Sequence, residues 1–336
     1  ATPDRVPTVF VENHRVANLD LTDPIQVSYV KRIGKDPIGL ENEEILKMKA
    51  DTQHSGTVVN GISRIGFMSG GHSAYWKDED FPTVLTNKAK TFIEENNAKP
   101  FFLYFSLPDI HVPRAPNQQF VGKTSMGPRG DDIVQMDWMT GEIVKKLKEL
   151  GIENNTLIIF SSDNGPVLDD GYADNAATNI GSHNPTGIYK GGKYSAYEGG
   201  TRVPTIAYWP GKIKPGKSDG MISQVDFFAT IAKLVVQKIT DNKTAPDSFE
   251  MLELLIGKSN KGRDEMIEES FTMSIRSGDW KYIAPQTKPT PVWLANKDVA
   301  TGLQLIEQLY NLKVHFLLYV QLVRVEHINK FIYWCL

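Results

Sequence analysis

The sequence has almost no cysteine. Of its 336 residues only Cys335, the penultimate one, is cysteine, which excludes an internal disulfide framework and a cysteine-rich zinc site. An excess of either charge is also lacking, since 37 Lys and Arg face 40 Asp and Glu. Net charge therefore indicates neither a nucleic-acid partner nor a polyanion-binding surface, and any anion must be bound locally.

Long apolar runs and a leader are lacking as well. No uninterrupted run reaches the roughly 18 apolar residues of a membrane helix, so we predict no membrane partner. Residues 1–7 contain neither the charged start nor the apolar stretch of a signal peptide. The chain does not begin with Met, and a strand-like run at 8–11 comes with no turn or helix before it. We therefore expect an N-terminally truncated chain.

Apolar runs and amphipathic segments alternate in a way that predicts an α/β fold. Helical spacing extends from residue 84 to about 97, and a continuous apolar run at 101–107 is typical of a strand buried on both faces. An amphipathic helix at 131–150 and a strand at 157–160 then complete the order expected of a crossover in a parallel sheet. A strand at 203–209 and a helix at 224–236 follow. We assign residues 1–240 to this main domain.

The C-terminal region has a different pattern. After about residue 240, polar connections, a short helix at 251–256 and a hairpin-like strand at 278–283 predict a small α+β subdomain over 241–312. Residues 313–336 form an atypical tail, rich in apolar residues and without Gly or Pro. Two interpretations of this tail stay open, a terminal helix or strand and a frame-shift artefact.

A carboxylate and an amide follow the strand at 157–160. Asp163 and Asn164 stand at its carboxyl end, the edge where open α/β sheets bind ligands, and Gly165 and Pro166 then form a turn. Their oxygens are hard ligands that suit calcium or magnesium better than zinc or copper. An isolated Asp-Asn-Gly is also an ordinary turn, and the metal interpretation depends on the residues around it.

Two further side chains suit an oxyanion. His111 follows the apolar run at 101–107 in a loop held by prolines, where an imidazole can donate to a bound anion or protonate a leaving alkoxide. Lys193 follows two glycines and supplies a point charge for a tetrahedral anion, although the P-loop spacing is missing. The alternative for His111 is an incidental surface histidine, and Lys193 alone would be weak evidence.

The block at residues 198–204, Glu-Gly-Gly-Thr-Arg-Val-Pro, has a structural pattern rather than a catalytic one. Its two glycines permit a tight turn. We expect Glu198 and Arg202 to brace that turn by an ion pair.

These motifs, in this order, resemble the formylglycine-dependent sulfatases of the alkaline-phosphatase-like superfamily. The resemblance extends over about residues 60–312. In detail, the sequence resembles the bacterial carbohydrate sulfatases. It is carried by His111 with Pro113, residues 162–165, Gly192 with Lys193, residues 198–204, 276–282 and 308–312.

The resemblance implies an alkaline-phosphatase-like, largely parallel sheet between helices and a hydrolase that removes sulfate from a sulfated saccharide. Asp163 and Asn164 would bind Ca²⁺, with Mg²⁺ less favoured, and Lys193 would contact the sulfate. His111 would contact the sulfate or protonate the leaving sugar oxygen. The sugar itself would be held by the segment that contains Asp169, Asp170 and His183. A solvated loop is an equally good interpretation of that segment, and a periplasmic or secreted bacterial location follows only from the resemblance.

The sequence departs from this family in one essential respect. Formylglycine is made from cysteine in a Cys-x-Pro-x-Arg type motif, and Cys335, followed only by Leu336, is not in one. The family's N-terminal acidic ligands and its second Lys and His are also absent from residues 1–60. We therefore expect an incomplete and inactive chain.

Two rival functions stay open. A phosphodiesterase or phosphoglycerol-transferase relative binds a similar tetrahedral anion, although Asn164 and the scarcity of His argue against it. The other is a non-catalytic glycan-binding remnant of the same scaffold.

Overall fold

The computed structural model describes residues 2–241, 243–297 and 299–313. The chain divides into two compact units. The first comprises Ala1–Ile152 and Leu168–Asn184, and the second comprises Glu153–Val167 and Pro185–Leu336. Each unit is described by itself below.

Short antiparallel strands and two long helices make up the first unit. The strands are β1 (Val11–Glu12), β2 (Arg15–Val16), β3 (Gln26–Ser28), β4 (Val58–Val59), β5 (Ile62–Ser63) and β6 (Phe67–Ser69), and the helices are α1 (Phe81–Asn96) and α2 (Pro128–Glu149). Four 3-10 helices lie at Glu43–Ile45, Thr52–His54, His72–Ala74 and Asp78–Asp80. β1 pairs with β2, β3 with β6 and β4 with β5. One small core of this unit contains Ile62, Val112 and Tyr172.

The helix predicted at residues 131–150 is confirmed as α2, and its ends follow the usual signals. Pro128 stands in the first turn, and the Asp131 carboxylate accepts hydrogen bonds from the backbone N–H groups of Gly122 at 2.7 Å and Thr124 at 2.9 Å. Lys146 and Lys148 lie in the last turn, where positive charge favours the helix dipole. α2 packs against α1, which confirms the helical spacing seen from residue 84.

The prediction of a strand at residues 101–107 is wrong. Described residues 101–107 belong to no strand, and Phe102 and Tyr104 are 67% and 82% exposed. An apolar run shows only that a segment is suited to burial, whereas a strand also needs a neighbour that accepts and donates its backbone hydrogen bonds. No described strand pairs with this segment.

The largely parallel sheet is likewise not formed by the described strands. Every ladder between them is antiparallel. Parallel pairing in the described part is confined to the isolated bridge between Arg5 and Ile65. The expected crossover from 101–107 to 157–160 lacks its first strand, so it provides no parallel pair.

The second unit contains a two-stranded and a four-stranded sheet. β7 (Ile158–Ser161) pairs antiparallel with β8 (Thr205–Tyr208), in register from Ile158 opposite Tyr208 to Ser161 opposite Thr205. The four-stranded antiparallel sheet has the order β12 (Gln308–Asn311), β11 (Trp280–Ile283), β10 (Met273–Ser277), β9 (Glu265–Glu269). The helices are α3 (Glu198–Thr201), α4 (Asp226–Leu234) and α5 (Leu252–Leu255), with 3-10 helices at Glu153–Asn155 and Val292–Asn296.

Several sequence predictions for this unit are confirmed. β7 overlaps the strand expected at 157–160 and ends one residue later, and β8 lies within the strand expected at 203–209. α4 lies within the helix expected at 224–236, and β11 lies within the hairpin strand expected at 278–283. The predicted division into residues 1–240 and 241–312 stays a prediction. The tail predicted at 313–336 lies outside the described residues except for Lys313. No described helix has the length and hydropathy needed to cross a bilayer.

Candidate functional site

Three glycine-containing segments meet in the second unit. β7 ends at Ser161, and the chain bends at Asp163 and Asn164. The N–H of Gly165 then donates a hydrogen bond of 2.8 Å to the carbonyl of Gly200. A Cβ on Gly165 would lie 1.8 Å from the Gly199 carbonyl oxygen. The two backbones therefore approach more closely than any side chain at this position permits.

The turn that contains Lys193 lies against the same place. The Lys193 N–H donates to the Pro166 carbonyl at 2.8 Å, and a Cβ on Gly192 would lie 2.5 Å from that oxygen. The Gly199 N–H also donates to the Lys190 carbonyl at 2.8 Å. The structure thus brings together the segments that contain Asp163 and Asn164, Lys193, and Glu198.

Side chains around this junction include two lysines and two tyrosines. Lys193 is half-buried, with Nζ 5.0 Å from the ring centroid of Tyr194. Lys190 Nζ lies 4.5 Å from the ring centroid of Tyr197. Both are cation–π distances, so the aromatic rings limit where the two ammonium groups lie.

Glu198 anchors the junction to the four-stranded sheet. It is buried, and its carboxylate lies 3.0 Å from Arg276 Nη1, 3.1 Å from Lys281 Nζ and 3.7 Å from Arg202 Nη1. The ion pair expected between Glu198 and Arg202 is therefore present, and two stronger partners come from β10 and β11. Lys281 Nζ also lies 2.6 Å from Glu268 on β9. Charge neutralisation by several partners is what permits these groups to be buried.

Asp163 and Asn164, predicted to bind a metal ion, provide only a few oxygen ligands. Asp163 is exposed and Asn164 half-buried, with the Asn164 carbonyl accepting from Ser162 Oγ at 3.0 Å. Calcium takes six to eight oxygen ligands. Among the described residues no group of three or more His, Cys, Asp or Glu side chains is arranged to hold a metal. The residues present do not fit a complete calcium site, and both assignments stay predictions.

His111 lies in the first unit, in the loop before α2. The backbone N–H of His111 donates to the Pro108 carbonyl at 3.0 Å. The ring atom Nδ1 lies 2.6 Å from the Val112 carbonyl oxygen. A carbonyl only accepts, so Nδ1 carries the hydrogen and Nε2 is the ring atom that gains or loses a proton.

Arg114 connects this loop to a second segment of the first unit. Its Nε donates to the Ile110 carbonyl at 3.2 Å, next to His111. Its Nη1 donates to the Leu168 carbonyl at 3.0 Å and to Asp174 Oδ2 at 2.6 Å. The sequence motifs did not single out Arg114 or Asp174, because a contact between residues 60 positions apart depends on tertiary packing.

The remaining sequence candidates are distributed between the units. Asp169, Asp170 and His183 belong to the first unit with His111, whereas Asp163, Asn164, Lys193, Glu198 and Arg202 belong to the second. Asp170 is buried, and Asp169 and His183 are exposed. Asp169 Oδ1 accepts from the Gly171 N–H at 3.2 Å. Their role in holding a sugar stays a prediction.

Sequence reasoning missed two carboxyl groups, that of the half-buried Asp109, two residues before His111, and that of the buried Asp132 on α2. Gln135 Nε2 lies 3.1 Å from both oxygens of Asp109, and Asp132 lies three residues before Gln135 on α2. Burial raises the pKa of Asp109 to about 6, although the Gln135 hydrogen bond opposes it. Burial and the charge of Asp109 raise the pKa of Asp132, against the attraction of Arg114. The pair retains a proton to higher pH than exposed carboxyl groups do.

Residues 38–237 match the family model described as Sulfatase, which is more than half of the chain. The chain belongs to the sulfatase family. This sulfatase chain is 50% identical over 291 residues to the N-acetylgalactosamine-6-O-sulfatase of Bacteroides thetaiotaomicron, which covers 86% of the chain and 57% of the relative. It is 35% identical over 212 residues to human steryl-sulfatase. That match covers 63% of the chain and 35% of the relative.

Solved structures give the same family. One from work on glycosaminoglycan metabolism by Bacteroides thetaiotaomicron matches with a TM-score of 0.90 and 48% identity, covering 94% of the sulfatase chain and 65% of that chain. A Pseudoalteromonas sulfatase matches with a TM-score of 0.57 and 28% identity. The match covers 70% of the sulfatase chain and 47% of the Pseudoalteromonas chain. The fold class is therefore α/β and alkaline-phosphatase-like. The sulfatase chain spans less than two thirds of each of these relatives, and the family generally uses a formylglycine and a divalent metal.

Proposed function

We propose that this chain supplies the sulfate-recognising part of a sulfuric-ester hydrolase that acts on sulfated carbohydrate. The observation that supports it best is the hydrogen bond from the Lys193 N–H to the Pro166 carbonyl. It fixes the Gly-Lys turn against the segment of Asp163 and Asn164. Glycine backbone and a lysine charge then lie together, an arrangement that suits binding of a tetrahedral anion.

The roles of the chain's own residues follow from their chemistry. Lys193 contributes a positive charge to a sulfate oxygen. His111, with Nδ1–H held by Val112, delivers a proton from Nε2 to the sugar oxygen when the bond between that oxygen and sulfur breaks. The products are the sugar alcohol and inorganic sulfate, with the elements of water added across the ester.

A 6-O-sulfated N-acetylgalactosamine unit is the substrate we favour. The Bacteroides relative, 50% identical over 86% of this chain, is an N-acetylgalactosamine-6-O-sulfatase. Asp169, Asp170 and His183 are our candidates for contacts with that sugar. A periplasmic or secreted location fits a substrate of this kind.

Turnover is not assigned to this chain alone. Its single cysteine, Cys335, is not in a Cys-x-Pro-x-Arg motif, and Asp163 with Asn164 does not complete a calcium site. The second candidate function is glycan binding without hydrolysis. Both candidates require that the chain recognise a sulfated sugar, and they differ in the reaction that follows.

Calorimetric titration of the purified chain with N-acetylgalactosamine-6-sulfate and with unsulfated N-acetylgalactosamine tests recognition. We expect the sulfated sugar to bind more tightly, and Lys193→Met to remove most of the difference. Lys190→Met, on the same turn, is the matched control and should retain it. Equal affinity for both sugars, or equal losses in the two variants, would refute sulfate recognition at Lys193.

A chimaera that joins the chain to the N-terminal region of the Bacteroides relative separates the two candidate functions. Sulfate release that is lost in a His111→Gln version supports the hydrolase. Binding without release, in a chimaera that contains formylglycine as shown by mass spectrometry, supports the glycan-binding alternative.

A further inference from the structure

The segment that follows Val167 is fixed on one side by the strands and loops of the first unit. The Asp51 N–H donates to the Gly171 carbonyl at 2.8 Å, and the Ala173 N–H donates to the Lys49 carbonyl at 2.8 Å. Tyr172 is buried, and its hydroxyl donates to the Ser63 carbonyl at 2.7 Å. Residues 171–173 are therefore held in place by main-chain bonds and a buried ring.

Arg114 holds the other side of this segment. It is 2% exposed, and its guanidinium bonds at once to the carbonyl before His111, the carbonyl before Asp169, and Asp174. Asp174 is buried too, and its other oxygen accepts from the Ala176 N–H at 2.9 Å. The planar guanidinium presents its donors in fixed directions, so these acceptors have fixed relative positions.

From this geometry we infer that Arg114 and Asp174 are positioning residues that hold the His111 loop and the Asp169–Asp170 segment in one arrangement. This inference rests on the proposed function. The pair sets the distance between His111, which protonates the leaving oxygen, and Asp169 and Asp170, which contact the sugar. Recognition of the sugar therefore depends on this ion pair, although the pair contacts neither the sugar nor the sulfate. Recognition of sulfate alone does not depend on it.

The lysine turn provides an internal reference for a test. Lys193 belongs to the second unit, and inorganic sulfate probes it without probing the sugar contacts. Loss of the Arg114–Asp174 pair should therefore lower affinity for N-acetylgalactosamine-6-sulfate and leave affinity for inorganic sulfate unchanged. A general loss of folding would lower both.

Asp174→Asn is the informative variant, since it retains the shape of the side chain and removes its charge. Asp78→Asn is the matched control, because Asp78 forms an equally buried ion pair with Arg64 at 2.7 Å elsewhere in the same unit. Arg114→Lys retains the charge with fewer donors. Calorimetry on the full chain with the sulfated sugar and with sodium sulfate, and hydrogen exchange of peptides 108–114 and 168–176, are the measurements.

We expect Asp174→Asn to weaken sugar binding about tenfold, the effect of one lost charge-assisted hydrogen bond, with faster exchange in both peptides. Arg114→Lys should recover part of the loss seen in Arg114→Met, and Asp78→Asn should retain the ratio of the two affinities. An unchanged ratio in Asp174→Asn, or faster exchange in only one of the two peptides, would overturn the inference. Failure of the unaltered chain to prefer the sulfated over the unsulfated sugar would instead refute the proposed function.

Discussion

Lys281 Nζ lies 3.1 Å from Glu198 Oε1, and both residues are buried. Lys281 also contacts Glu268 Oε2 at 2.6 Å and Thr201 Oγ1 at 3.2 Å. One ammonium group thus joins β9, β11 and α3, and the Gly199 N–H of α3 donates to the Lys190 carbonyl. The four-stranded sheet supports the candidate sulfate site through this residue.

Replacement of Lys281 by Met should therefore destabilise the chain strongly. Glu198 would be left as a buried carboxylate without this ammonium partner, and the half-buried Glu268 would lose it too. Loss of one partner of a buried pair costs about 3–5 kcal/mol. The measurement is the free energy of unfolding in urea. Lys313→Met is the control, because Lys313 pairs with Asp279 at 2.7 Å on the surface and exposed pairs contribute about 0–1 kcal/mol. Equal effects of the two substitutions would contradict the importance of the buried network.

Gly165→Ala should damage the junction itself. The new methyl group would lie 1.8 Å from the Gly199 carbonyl oxygen, a distance that the rigid backbone cannot accept. Overpacking of this kind costs about 1–3 kcal/mol, and the displaced turn should also lose its sulfate preference. Gly216→Ala is the matched control, since the nearest atom to its Cβ is 3.9 Å away. Thermal unfolding and sulfate titration of both variants measure the difference.

His54 should make the first unit more stable at low pH than at high pH. Its burial opposes the charged form, but the hydrogen bonds to Asp4 and Asp51 outweigh it, and the pKa is raised above the ordinary 6.5. The imidazole Nδ1 lies 2.7 Å from Asp51 Oδ1, and Nε2 lies 3.7 Å from Asp4 Oδ2. This stabilisation is complete below pH 6.5 and is lost as the pH rises through the folded-state pKa.

His54→Gln is the test of this assignment. The difference in unfolding free energy between the unaltered chain and the variant should be largest below pH 6.5 and should shrink above it. His183→Gln, at an exposed position of the same unit, should leave stability unchanged across the range. A constant difference between pH 5 and 9 for His54→Gln would show that packing against Tyr172 matters and the charge does not.

Local patterns predicted the elements whose signals lie within one segment. α2 followed from its apolar spacing and charged ends, and β7 from four consecutive residues before an Asp-Asn-Gly-Pro turn. The run at 101–107 has an equally apolar sequence and forms no strand. Its composition is compatible with burial, but composition does not specify which backbone is available to pair with it.

The candidate site divides in the same way. Lys193 and the glycines at 165, 192, 199 and 200 were visible as motifs, and the structure shows that these motifs contact one another. The partners of Arg114, Asp132 and Lys281 were not visible, because a buried charge has no sequence signature until its partners are known. Each of them acts through residues that lie far away along the chain.

Asp109 should make the first unit less stable as the pH rises toward neutrality. Burial raises the pKa of its carboxyl to about 6 from the ordinary 3.8, so the folded chain retains a proton that the unfolded chain releases. Stability from this proton is complete below pH 3.8 and is lost as the pH rises to about 6. Asp109→Asn removes the titration, so unfolding free energies measured from pH 4 to 8 should fall less steeply in the variant. Asp137→Asn, on α2 but outside this carboxyl pair, should retain the slope of the unaltered chain. A variant at position 109 with an unchanged slope would assign the retained proton to Asp132 alone.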